Sequence, residues 1–310
     1  MPYRVLIDGG LYRDDPPDAL VVNFGGGVDS TALLIGLGQR GIMPDAIVFA
    51  AVGDFRDFPE DGSIEDLCEH GKKSGDEHPE TYDHLVAIDD WLFRRTWPCL
   101  TVVTYVHAED RYGGLLGNCL ANRTLPSMSF GRHSCSLKHK GENIDRWVRE
   151  TFPDRRVVRM VGFDAGARDT CRAARSRTTF AISNGNGFDW QYPLQTWGWD
   201  RQKCAEICEN ELGYVPVKSS CFFCAAKSED EILDLARKHP HLALRCVEIE
   251  ETALATLRDP ERGLSGPPRK GRKRKDGSWI SEPRPGRWTE IWREAGLLSE
   301  LDVGRTRRAR

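Results

Sequence analysis

Residues 19–31 read ALVVNFGGGVDST, and the change of character inside that run decides the fold. Ala19 to Phe24 is short, apolar and β-branched, as a buried strand is. Three glycines follow, and TALLIGLGQRG then carries helical character until Gly41 ends it. The order is strand, glycine loop, helix. Backbone N–H groups of consecutive small residues, converging with a helix N-terminus, form a concave positive site for phosphate. Gly25, Gly26 and Gly27 allow that close approach, while Asp29 and Ser30 add a metal or water partner and a hydroxyl donor. A glycine-rich turn also arises for packing alone. This one has neither the Gly-Lys-Ser/Thr ending of a Walker A loop nor GxGxxG spacing.

Outward from the loop, further strands are predicted at Asp45–Val52, Leu100–Val106, Arg156–Val161 and, shorter, Asp189–Leu194. Helices are predicted at His84–Arg95, at Glu142–Phe152, and from an Asp200 cap to Gly213. Two more follow, one from a Ser228/Glu231 capping box to Lys238 and one from Leu242 to about Leu257. Strands alternating with helices predict an α/β fold, a parallel sheet with helices on both faces. Gly53–Ser74 reads as an inserted surface loop, and the stretch from the third strand to Lys140 as loop-rich. Residues 1–258 form the expected main domain. Residues 259–310 form a small C-terminal appendage, in which SGPPRKGRKRKDGS is a breaker-rich basic linker and WISEPRPGRWTEIWREAGLL a docked segment.

A chain of 310 residues, 39% of them hydrophobic, can bury a sizeable core. It has no run of the roughly 18 apolar residues that a membrane helix needs, and MPYRVLIDGGLYRDDPPD has no signal-like apolar core. A soluble, cytoplasmic protein with no membrane partner is expected. Ten cysteines are too sparse for a secreted disulfide scaffold, so the close pair Cys221 and Cys224 reads as a metal site or a catalytic pair. The net charge of −3 is unevenly spread: residues 257–310 hold 15 Lys and Arg against 8 Asp and Glu, which is +7 and leaves −10 elsewhere.

FGGGVDST resembles the SGGxDS loop of the PP-loop ATP pyrophosphatases (adenine nucleotide alpha hydrolase-like), in the branch related to phosphoadenosine phosphosulfate reductase. GDEHPETYDHL (75–85), FGRHSCSLKHK (130–140), VGFDAGARDTCR (161–172), YPLQTWGWDRQKC (192–204) and SSCFFCAAK (219–227) are similar to that branch in the same order, over roughly residues 19–230. Two departures stand out. Gly25 replaces the family's leading serine, and the acidic turn after the second strand is split by residues 53–74, leaving Gly75-Asp76 beyond them.

The resemblance implies a HUP-like fold and a reaction in which a substrate oxygen attacks the α-phosphate of ATP and pyrophosphate leaves. It implies nucleotide contacts at Gly25, Gly26, Gly27, Asp29, Ser30, Thr31, Gly162 and Arg168. Mg²⁺ is expected near Asp29, and Asp29, Ser30 and Arg168 would carry the catalysis. A guanidinium fork from Arg168 or Arg172 suits phosphate oxygens, though either arginine is also an ordinary surface charge. Cys135 sits where this branch uses a further cysteine. With Cys221 and Cys224 it would hold a 4Fe–4S cluster with one iron open to sulfide or, with a fourth ligand, zinc; a redox dithiol and inert thiols remain alternatives.

Cys204 and Cys208, i and i+4 on a predicted helix, share a face and read as a possible ligand source or as core residues. Cys68, Cys99, Cys119, Cys171 and Cys246 are expected in the core. His78, His84, His133 and His139 lack ligand spacing and read as ordinary surface or motif residues.

No Glu-Cys-Gly-type motif follows Cys246, which argues against a sulfonucleotide reductase. Arg269–Lys275 and Arg305–Arg310, beside Trp279, Trp288 and Trp292, offer phosphate contacts with aromatic faces. The competing reading is a solvated linker whose tryptophans dock the tail. The expected function is adenylation of DNA or RNA followed by sulfur transfer from sulfide or a donor protein. The alternatives are a reductase-like or amidating enzyme acting on a small molecule, and a non-catalytic nucleotide-binding module associated with DNA.

Overall fold

The computed structural model describes residues 17–59, 62–104, 112–132, 134–182 and 188–298. Five strands, β1 (Ala19–Asn23), β2 (Ala46–Ala51), β3 (Leu100–Thr104), β4 (Val157–Val161) and β5 (Phe188–Gln191), form one sheet in the order β3-β2-β1-β4-β5. Every pairing is parallel, as the alternating pattern predicts. His133, Val106 and Arg305–Arg310 lie outside the described residues.

The helices are α1 (Val28–Gln39), α2 (Ile64–Ser74), α3 (Pro79–Phe93), α4 (Gly114–Ala121), the single turn α5 (Ser134–Ser136), α6 (Glu142–Thr151), α7 (Ala167–Ile182), α8 (Pro193–Thr196), α9 (Arg201–Leu212), α10 (Glu229–Lys238), α11 (Pro240–Ala253) and α12 (Trp288–Glu294). Among the described residues no helix is long and apolar enough to cross a membrane. Close contacts divide the chain into two units. The first holds residues 1–51, 58–105 and 141–219, and the second holds 52–57, 106–140 and 220–310.

In the first unit, Ala19 and Val21 of β1, with Ala46, Val48 and Val157, pack on Ile144 and Val148 of α6. Side chains alternate along a strand, so Leu20 and Val22 point to the opposite face; α1 packs against α8 and α9. Arg159 of β4 is fully buried on the α6 side. Its guanidinium donates to Asn23 Oδ1 at 3.1 Å, pairs with Asp145 and lies 4.4 Å from the Trp190 ring centre, which offsets the burial of its charge. The topology matters for function. The chain runs outward from β1 to β3 and returns to β4 on the other side of β1, so the loops leaving β1 and β4 diverge from neighbouring strand ends, where such sheets bind ligands.

Three sequence expectations change. Residues 53–74 are not all loop: α2 starts at a Ser63 cap, whose hydroxyl accepts from Asp66 N at 3.1 Å, and it buries Leu67, Cys68 and Gly71. A Cβ at Gly71 would lie 2.2 Å from the Tyr82 ring, so the missing side chain lets α2 pack on α3. The stretch toward Lys140 contains α4, which buries Leu115 and Cys119. The basic linker is a hairpin, with β6 (Arg272–Lys273) antiparallel to β7 (Trp279–Ser281).

The second unit is built on α4, α10, α11 and α12 around Phe222, Phe223, Ile232, Leu235, Cys246, Trp288 and Trp292. Trp288 and Trp292 are docking residues with no exposed surface, whereas Trp279 is exposed. One carboxylate ties the C-terminal segment down. Glu250 of α11, buried, accepts from Leu264 N (2.9 Å) and Trp288 N (2.8 Å) at one oxygen, and from Thr289 N (3.0 Å) and Thr289 Oγ1 (2.7 Å) at the other.

Replacing one acceptor oxygen by an amide donor should leave two of those groups unpaired. Glu250→Gln should therefore lower unfolding stability by about 1–3 kcal/mol, and Trp292→Ala by about 3–5 kcal/mol. Urea denaturation checks both; a Glu250→Gln midpoint equal to wild type would refute the role given to this carboxylate.

Candidate active site

The glycine loop leaves β1 at Asn23 and enters α1 at Val28. Gly26 has φ +71°, which favours glycine, and a Cβ there would also crowd the Phe49 ring at 3.0 Å. Gly25 is exposed, and a Cβ on it would meet nothing closer than Ser30 Oγ at 3.5 Å; the space a serine would occupy is open. Gly162, just past β4, comes so near the loop that a Cβ would sit 2.7 Å from Ser30 N. It serves the site by bringing two backbones together.

The loop hydroxyls are engaged locally. Ser30 Oγ accepts from Gly27 N at 3.3 Å and donates to Gly27 O at 3.0 Å. Thr31 Oγ1 donates to Gly27 O at 2.9 Å and meets His84 Nε2 at 2.9 Å, and His84 Nδ1 meets the Tyr214 hydroxyl at 2.9 Å. With Thr31 donating to the carbonyl, His84 carries its proton on Nε2 and Tyr214 donates to Nδ1. Burial pushes the His84 pKa down to about 4, so the ring is neutral at neutral pH. His84 was read from sequence as an ordinary residue; in the structure it braces the loop from behind.

Asp29 meets two carboxylates that sequence reasoning did not single out. Its side-chain oxygens gather with those of Asp164, after β4, and Asp169, in the first turn of α7. Asp29 Oδ2 accepts from Arg201 Nη1 at 2.6 Å, while Oδ1 is buried without a hydrogen-bond partner. Burial raises the Asp29 pKa above the ordinary carboxylate value; Arg201 opposes the shift, and the charges of Asp164 and Asp169 add to it. Asp164 Oδ1 accepts from Gly166 N at 2.7 Å, and Asp169 Oδ1 accepts from Arg172 Nη1 at 2.8 Å. Arg172 also lies over Phe163, 4.4 Å from the ring centre, and Phe163 stacks on Tyr192. Arg168 is exposed on α7, and the arginine beside Asp29 is Arg201 at the start of α9. The signal was available: both missed aspartates lie in FDAGARD, which spans a strand-to-helix turn, and Arg201 in WDRQKC.

Cys135, Cys221 and Cys224 all belong to the second unit, are half-buried and take part in no disulfide. Cys224 N donates to Cys221 O at 3.0 Å, closing a tight turn, and Cys135 N donates to Ser127 Oγ at 3.1 Å. Cys135 and Cys221 pack against the same apolar cluster. The three thiols do not gather at the spacing of ligands around a single ion. Cys204 and Cys208 are core residues of the first unit on α9; burial raises both thiol pKa values, that of Cys208 to about 12. Cys68, Cys119 and Cys246 are buried as expected, but Cys99, in the loop just before β3, and Cys171, on α7, are exposed.

No protein-family model and no curated protein matches this sequence. A solved structure similar to it is the U34-tRNA thiolase NcsA from Methanococcus maripaludis with its [4Fe-4S] cluster, at 15% identity and a TM-score of 0.40, covering 77% of this chain and 72% of that chain. At that degree of likeness the functional reading rests on this chain's own residues.

His84 gives a pH prediction. Its native pKa near 4 lies below the ordinary value of 6.5, so the unfolded chain binds the extra proton first as pH falls. The stability contributed by neutral His84 should be complete above pH 6.5 and lost progressively down to pH 4, by an amount on the order of 3 kcal/mol. Urea unfolding across that window should show a flatter pH dependence for His84→Gln than for wild type; parallel curves would contradict the buried neutral ring.

Proposed function

We propose that this chain is an ATP pyrophosphatase that adenylates an oxygen of a nucleic acid and then replaces that oxygen with sulfur. The observation that carries the reading is the meeting of a glycine anion loop with three carboxylates at the divergence of β1 and β4.

The chemistry asks mainly for positioning and charge neutralisation. Gly26 and the first turn of α1 would offer N–H groups to the anion that leaves, and a glycine at position 25 keeps the entrance open. The acceptor oxygen attacks the α-phosphorus, the bond to the β-phosphate oxygen breaks, and pyrophosphate departs into the loop. Asp29, Asp164 and Asp169 fit a divalent cation: they are hard oxygen donors, and Asp29 Oδ1 is a buried oxygen with no protein partner. Bound there, Mg²⁺ would neutralise charge on the polyphosphate. Arg201 holds the Asp29 carboxylate in place from the other side.

Sulfur then adds at the activated carbon or phosphorus and AMP leaves with the original oxygen, so hydrosulfide as donor balances the step without a redox partner. Cys135, Cys221 and Cys224 are three half-buried cysteines of the second unit, and Cys135 and Cys221 pack against one apolar cluster. Thiolate donors of this kind suit a 4Fe–4S cluster, which would supply an iron open to sulfide.

Asp29→Asn and Asp169→Asn should each lower pyrophosphate release from ATP by about a hundredfold or more. Formation of ADP and phosphate by the wild type would overturn the assignment. Cys135→Ala, Cys221→Ala and Cys224→Ala should each abolish iron and sulfide content in anaerobically reconstituted protein. Stoichiometric zinc in the wild type would replace the cluster in this scheme and leave adenylation standing.

A further inference from the structure

The basic run between Arg269 and Lys275 belongs to an ordered ribbon. Arg272 and Lys273 pair with Ser281 and Trp279, and Arg269 and Arg284 exchange backbone hydrogen bonds of 2.8 and 2.9 Å at the base. At the tip, Arg274 N donates to Ser278 O at 2.7 Å, Gly277 takes φ +88°, and Asp276 Oδ1 accepts from Ser278 N at 2.9 Å. The ribbon therefore holds its charges in a set arrangement. Residues 269–284 contain seven Lys and Arg against two acidic residues.

Like charges held together on an exposed ribbon repel one another, and a polyanion relieves that repulsion. Among these cations stands an apolar surface: Trp279 is 39% exposed and Ile280 47%, and the Lys273 ammonium lies 4.3 Å from the Trp279 ring centre. A partly exposed indole beside cations suits a ligand that alternates phosphate with a flat ring. In a duplex the base faces are already stacked, whereas in an unpaired strand they are free to stack on an aromatic side chain. The cleft of about 470 Å³ at the hairpin base is a weaker candidate, since Glu229, Glu282 and Glu294 line it together with Arg269 and Arg284.

We propose that the hairpin is a binding surface for single-stranded nucleic acid, with Arg272, Lys273 and Lys275 on phosphates and Trp279 stacked on an unpaired base. This inference rests on the reading of a nucleic-acid acceptor and names the part of the chain that engages it. Arg274 is partly occupied at the tip, where it donates to Ser278 Oγ at 3.3 Å and Trp279 O at 3.2 Å, so it is left out of the phosphate set.

The test is fluorescence anisotropy of the full chain with labelled single-stranded oligonucleotides, RNA and DNA, and matched duplexes, across a salt series. Wild type should prefer the single strands. The triple variant R272S/K273S/K275S should reduce the slope of log affinity against log salt by about 2, each phosphate contact contributing about 0.7. Trp279→Ala should weaken single-strand binding about tenfold with little change of slope. All four substituted residues are exposed, so circular dichroism should show folded variants. Polyglutamate bound as tightly as the oligonucleotide, a triple variant with the wild-type slope, or a Trp279→Ala variant with wild-type affinity would each overturn the proposal. Oligonucleotide binding lost in these variants, by a chain whose wild type releases no pyrophosphate, supports the hairpin and sinks the adenylation reading. Pyrophosphate release by a wild type that binds no oligonucleotide does the reverse.

Discussion

The backbone after β4 approaches the backbone of the glycine loop so closely that only hydrogen fits at Gly162, with a Cβ there 2.7 Å from Ser30 N. This contact depends on strand order. β1 and β4 are hydrogen-bonded neighbours with Asn23 opposite Val161, so the loops leaving them start side by side although about 140 residues separate them in the chain. Asp29 comes from one loop, and Asp164 and Asp169 from the other. A sheet of different order would part those carboxylates whatever their sequence spacing. A bulkier residue at 162 would push the β4 loop off α1 and separate the donors even with every functional side chain intact.

The second unit solves a different problem, which is how to hold a short, charged C-terminal segment. Apolar burial of Trp288 and Trp292 supplies the driving force, but two indole N–H groups and the backbone entering α12 must also be satisfied. Trp292 Nε1 donates to Ile232 O at 2.9 Å and Trp288 Nε1 to Ser265 Oγ at 2.9 Å. Glu250 takes the backbone N–H groups of Trp288 and Thr289, in the role an N-cap side chain would fill, because Arg287 at the cap position has no side-chain acceptor. With its base anchored in this way, the hairpin can carry a charge density that would keep an isolated peptide extended.

The sequence made some of this legible and hid the rest for identifiable reasons. The strand, loop and helix of residues 19–41 were readable because a buried strand, a glycine triplet and a helical run follow one another without interruption. Helices α9 and α10 were readable from their caps, Asp200 with Gly213 and Ser228 with Glu231. Helix α2 was hidden because its buried face is made of Leu67, Cys68 and Gly71, too small and too few to mark an apolar stripe. The hairpin was hidden because its strands are only two and three residues long and β6 carries charge where strand propensity looks for β-branched residues. For Asp164, Asp169 and Arg201 the motifs were legible but the convergence was not. Each is an ordinary polar residue in its local context, and it acquires a role only when the sheet order brings three separate segments to one place.

That convergence has an energetic consequence. Three carboxylates gathered at the strand ends, one of them with its pKa raised by burial, repel one another more strongly in the folded chain than in the unfolded one. Arg201 offsets part of this, yet its single hydrogen bond reaches only one oxygen of Asp29 and leaves the other buried and unpaired. A cation taken up at this place would pair that oxygen and lessen the repulsion together, so its binding free energy would also be folding free energy. The loop hydroxyls, by contrast, are already paired with Gly27. A hard divalent cation is the ligand whose charge and oxygen preference match the deficit at the carboxylates.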